Sequence, residues 1–133
     1  MKRYTFLTIS AVVGAFFAVY MLLAPNKMME SLGTSPSDSA NVVLQATSVM
    51  LLSISAMTFL SRSDGGSLAL RAILIGNIVM HVVALPIDWI AYEQGIFTQI
   101  SGIIPGTVTH LVFAVGFVYF LAKLKKTNIL ISR

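Results

Sequence analysis

Four long apolar runs, at about residues 5–24, 41–60, 68–92 and 103–122, constrain this chain more than any other feature. A helix of 20 residues spans roughly 30 Å, the thickness of a bilayer's hydrocarbon core. The first two runs hold no charged residue at all. A water-soluble bundle would need polar outer faces, but 56% of the 133 residues are hydrophobic and 11% are charged, too little polar surface to cover a soluble globule. The mean hydropathy of +0.86 points the same way. The expected fold is all-α, a single integral membrane domain over residues 1–133 whose four spans form an up-down bundle joined by short loops.

The punctuation between the runs is local. Pro25 ends the first run, and residues 26–32 form a short interfacial turn with Met28, Met29 and Leu32 toward lipid, closed by Gly33. No A-x-A site precedes Pro25, and the first run is longer than a signal peptide's apolar core, so it is expected to stay as a span. Thr34-Ser35-Pro36-Ser37-Asp38-Ser39 is a turn and helix-capping signal, and Ser61-Arg62-Ser63-Asp64-Gly65-Gly66-Ser67 is a flexible turn. In the fourth span Pro105 falls in the first turn, where its missing N–H costs nothing. Gly102 and Gly106 are spaced as GxxxG, which at a helix start reads as capping.

Lys and Arg resist translocation, so their distribution sets orientation. Lys2, Arg3, Arg62, Arg71, Lys123, Lys125, Lys126 and Arg133 fall on one side, against Lys27 alone on the other. Both termini are therefore expected in the cytoplasm, with the protein in the cell (inner) membrane and Glu30, Asp38 and Glu93 outside. Tyr4, Tyr20, Trp89, Tyr92 and Tyr119 lie near span ends, where amphipathic rings favour the headgroup level. Helix contact in lipid favours small residues, and Ser10, Gly14 and Ala18 in the first span and Ser48 and Ser55 in the second supply such faces. The net charge of +4 belongs to this topology; no basic stripe interleaved with aromatics suggests nucleic acid.

The third span is unusual. Asn77, His81 and Asp88 stand at i, i+4 and i+11, within about 40° of one another on one helix face. A carboxylate at the centre of a lipid-facing helix costs about 2.5 to 3.5 kcal/mol, so this stripe should face the bundle interior or a water-filled hollow. Pro86 beside it removes a backbone donor and frees the carbonyl of Val82. His110 in the fourth span and Gln45 in the second, with Thr107 and Thr109, complete a candidate cavity in the outer half. The competing structural reading takes these groups as interhelical hydrogen bonds worth about 0.6 to 2 kcal/mol each. His81 and His110 could serve as two axial ligands of haem b, but counted from the span ends they differ in depth by about one turn, which disfavours it. The chain has no cysteine, which removes thiol redox catalysis and thiolate metal sites, and no pattern marks a metal site or a catalytic centre. The methionines show no ligand-like clustering beyond Met28-Met29.

Two small four-span classes fail on chemistry: a multidrug exporter would need a carboxylate inside the first span, and a glutathione-dependent transferase charged residues in the second. The first span ending in Ala24-Pro25, followed by Met28-Met29-Glu30-Ser31-Leu32-Gly33 and a second span rich in small residues, resembles the DoxX-like superfamily of small four-helix membrane proteins. The resemblance implies a fold and assigns no residue roles. The functional expectation is a non-catalytic module without a cofactor, binding a small amphiphile or a membrane protein partner through Asn77, His81, Asp88, His110 and Gln45. The alternatives are an electron-transfer subunit using haem or quinone, and a proton-coupled transporter.

Overall fold

A computed structural model describes residues 1–124; Lys125, Lys126 and Arg133 of the basic set lie outside them. Five α-helices account for most of it: α1 Arg3–Leu23, α2 Pro25–Ser31, α3 Asp38–Leu60, α4 Leu68–Glu93 and α5 Ile100–Lys123. The four longer ones are long and apolar enough to cross a membrane.

Local chemistry explains the boundaries. Pro25 opens α2 at its first turn, and Gly33, with φ +74°, takes the left-handed conformation that closes it. Ser37 caps α3 by accepting from the Ala40 amide, and Ser67 caps α4 by accepting from Leu70. Asp64 organises the turn before α4: its carboxylate accepts from the Gly66 and Ser67 amides and from the Ser67 hydroxyl. Those donors, the Ser67 amide foremost, hold the Asp64 carboxyl at about pKa 2, below its ordinary 3.8. The Arg3 guanidinium donates to the Asp64 carbonyl, so the start of α1 is tied to the turn that follows α3. Helix α4 continues through Pro86 to Glu93.

Helices α1 and α3 pack along their lengths, as do α4 and α5, whereas the two pairs touch each other sparsely. The α1–α3 seam uses the small residues: Ser10, Ala18, Ser48 and Ser55 are buried, and a Cβ on Gly14 would run into the Ser55 hydroxyl. At the end of the molecule holding Arg3 and Lys123 the pairs meet in an aromatic plug. Phe6 packs edge-on to Phe117 at 5.0 Å, with Leu7, Leu70, Leu74, Phe113 and Phe120 around them. The outside is apolar, with Val12, Phe16, Val43, Ile87 and Val115 exposed, while Ser48, Thr58, Asn77 and His81 are inside. This inversion of soluble packing is what a lipid solvent demands.

The GxxxG glycines do not act as a cap. Both lie within α5, which begins at Ile100, three residues ahead of the expected span. A Cβ on Gly102 would collide with the Ser31 carbonyl, so Gly102 lets α5 approach the end of α2 backbone to backbone.

Candidate functional site

Between the two helix pairs lies a cavity of about 500 Å³, walled by all four long helices. Its floor is polar and rests on the aromatic plug. Asn77, 4% exposed, donates to the Thr58 hydroxyl at 3.0 Å and to the Ile73 carbonyl at 2.8 Å, joining α4 to α3. Ser10 and Ser55 stand beside them on the α1–α3 side. The stripe drawn from the sequence does face inward: Asn77, His81 and Asp88 all line the cavity, with His110 and Thr109 opposite on α5.

His81 and His110 meet directly, Nδ1 to Nδ1 at 2.8 Å. The expected one-turn offset fails because α5 starts at Ile100, not at residue 103. The three extra residues lower His110 by about 4.5 Å, to roughly 15 Å below the start of α5, against roughly 18 Å for His81 below Glu93. The His81 ring lies nearly parallel to Phe117, with centroids 5.7 Å apart and planes at 20°, so packing fixes its plane. With both rings neutral, the shared bond sets complementary tautomers. One ring gives its Nδ1–H and keeps a bare Nε2 acceptor, and the other accepts at Nδ1 and keeps an Nε2–H donor. The pair does not suit haem ligation as it stands, because an iron between two nitrogens needs about 4 Å, two bonds of about 2 Å.

Asp88 is half-buried at the cavity's upper wall, close to Gly106, where a Cβ would stand 3.7 Å from its Oδ2. It accepts no hydrogen bond from the described residues. A carboxyl so placed remains available to a ligand or to water. Thr109 turns its hydroxyl back to the Pro105 carbonyl, and Thr107 accepts from the Trp89 indole at 3.2 Å, clamping the end of α4 to the first turns of α5.

Gln45 is not part of this site. It is exposed, and its amide donates to the Leu22 carbonyl at 3.2 Å, tying α3 to α1. Reasoning from sequence missed Thr58 on the floor, and it missed the lid formed by Met28 of α2 and Leu32 just after it with Phe97. The signal for Thr58 was its position three residues beyond Ser55, on the same face of α3. The lid is secured by the Thr98 and Gln99 amides, which donate to the Leu32 carbonyl at 3.0 and 3.2 Å, and by the Thr98 hydroxyl on Gly33. No metal-ligand cluster occurs among the described residues. No protein-family model matches the chain, and neither does any curated protein or solved structure.

Proposed function

We propose that this is a non-catalytic multi-pass protein of the cell (inner) membrane that holds a small amphiphile in the cavity between its two helix pairs. The observation that carries the reading is the combination of apolar walls with a few converging polar groups, His81, His110, Asp88 and Asn77, in about 500 Å³. Small-molecule sites have that composition and volumes of about 300 to 1,000 Å³. A hollow of that size favours a small ligand over an inserted protein partner.

The reading includes an up-down four-helix bundle with both termini cytoplasmic. Arg3, Arg62, Arg71 and Lys123 share the end of the molecule that holds the aromatic plug, while at the other end Lys27, the single basic residue there among the described residues, pairs with Glu30 at 3.9 Å. The cavity then belongs to the outer half. The DoxX-like likeness is taken as one of architecture, since the segment that carries it, Ala24-Pro25 through Gly33, folds as α2 and the lid. Proton-coupled transport is disfavoured by the plug. From Asn77 to Leu70, about 10 Å of rise, the described side chains that a proton would meet are apolar, Leu and Phe with Val13 and Ile78 packed against them.

Native mass spectrometry of the protein released from its own membrane tests this. The wild type is expected to carry a small amphiphile, and Ala84→Phe, which fills the wall beside His81, to lose it with little change in melting temperature. Identical adducts on both proteins would sink the proposal.

A further inference from the structure

The cavity is closed at both ends. The aromatic plug seals the inner end. At the outer end, the backbone bonds from residues 98 and 99 to Leu32 and the contact of Gly102 with the Ser31 carbonyl leave no way between α2 and α5. The side is different. Of the described residues lining the cavity, Thr47 and Met50 alone are exposed, Met50 to 68%. Both lie on α3, on the flank where α3 and α4 scarcely touch. They sit about 14 and 18 Å below the start of α3, level with the histidine pair and surrounded by lipid chains, not by headgroups or water.

A second hollow begins at the same point. A groove of about 390 Å³ runs from Thr47 along Val43 and Leu44, under Met28, Met29 and Phe97, to Thr34 and Ser39 at the outer end of α3. It shares Met28, Leu32, Leu44, Thr47 and Phe97 with the cavity, so the two spaces adjoin, with Thr47 at the edge of both. The groove is apolar along most of its length, with Thr34 and Ser39 only at its far end; the cavity ends in the buried polar groups Asn77, His81 and His110. A molecule matching both has a polar head and one chain.

We propose that the ligand is a single-chain amphiphile drawn sideways from the bilayer between α3 and α4 at Thr47 and Met50, with its head against His81 and His110 and its chain in the groove. This rests on the cavity reading above and adds the route and the ligand's class. The complementary tautomers of the pair offer such a head one donor and one acceptor, which a hydroxyl can use in either sense.

The chain contains one tryptophan, so a Trp89→Phe background gives a silent start for fluorescence. In that background Val43→Trp places a reporter in the groove and Val49→Trp, on an exposed face outside both hollows, serves as control. The probe is 12-bromo-1-dodecanol in phosphatidylcholine nanodiscs, because bromine quenches indole only at short range. Quenching at Val43→Trp is expected to saturate, to exceed that at Val49→Trp at least threefold, to be competed by 1-dodecanol and to disappear on adding His81→Phe. If Val43→Trp fails to fold, Ala40→Trp reads the same groove. Equal, unsaturable quenching at both positions overturns the inference, as does selective quenching that survives His81→Phe. Where dodecanol raises the melting temperature of the wild type without selective quenching, the cavity reading stands and this one falls. Where it does neither, both fall.

Discussion

The hydrogen bond between Asn77 and Thr58 joins two helix pairs that otherwise meet mainly in the aromatic plug, and replacing Thr58 by Val isolates its worth. Valine keeps the shape of threonine and removes the acceptor. Asn77 then retains its bond to the Ile73 carbonyl, leaving one amide proton unpaired at a site 4% exposed. Interhelical side-chain bonds in membranes average about 0.6 kcal/mol, with a maximum near 1.7, because the unfolded chain in lipid also finds partners. Both members here are buried and the 3.0 Å geometry is good, so the coupling should lie in the upper half of that range, about 1 to 1.7 kcal/mol. A double-mutant cycle of Thr58→Val and Asn77→Leu, read from reversible unfolding in mixed micelles, measures it. Coupling below about 0.3 kcal/mol, the additivity error, would refute the claim that this bond fastens α3 to α4.

Three further outcomes follow from particular contacts. Gly14→Ala should destabilise by about 1 to 3 kcal/mol through overpacking. Most of this should return in Gly14→Ala with Ser55→Ala, because the obstruction is the Ser55 hydroxyl while its Cβ stands at an ordinary 3.6 Å; melts of the three proteins decide it. The folded Asp64 carboxyl, at about 2, lies below its ordinary 3.8, so its contribution is fully present above about pH 4 and is lost as pH falls through 2. Hydrogen exchange at the Gly66 and Ser67 amides, compared with Asp64→Asn at each pH, should show extra protection of the wild type at pH 6 that fades toward pH 2. Because the chain lacks cysteine, Ser39→Cys and Ser63→Cys give clean topology reporters: an impermeant maleimide added to intact cells should label the first and spare the second, and the reverse would overturn the cytoplasmic placement of both termini.

The helical elements were legible because charge-free runs of span length admit few alternatives in lipid. The inward stripe of Asn77, His81 and Asp88 was legible because 100° per residue is a reliable rotation. Depth was less so. Residues 99–102 are semi-polar and read as connection, yet α5 starts inside them because the chain there is held by the bonds to Leu32 and by the approach of Gly102 to Ser31, contacts made across more than sixty residues of sequence. That shift alone brings His110 level with His81. Gln45 was placed by its depth without its rotation: it sits about 140° around α3 from Thr58, which turns it away from the cavity.

A feature legible in hindsight is the grading of side-chain size along one face of α5. Gly102, Gly106 and Thr109 occupy its N-terminal half and Phe113, Phe117 and Phe120 its C-terminal half, so the gap between the helix pairs is wide at the end that holds α2 and plugged at the other. The two glycines have different work, and this yields a sharp contrast. A side chain at Gly102 meets the fixed Ser31 carbonyl and must push α2 from α5, so Gly102→Ala should cost about 1 to 3 kcal/mol and loosen the lid. A side chain at Gly106 meets nothing nearer than the Asp88 carboxylate at 3.7 Å and projects into open cavity, so Gly106→Leu should leave the melting temperature unchanged or raise it. The same leucine occupies ligand space beside His110, so stabilisation by 1-dodecanol should vanish in Gly106→Leu. If Gly106→Leu melts as low as Gly102→Ala, α5 packs closely along its whole N-terminal half, and the wide gap that the size grading implies there does not exist.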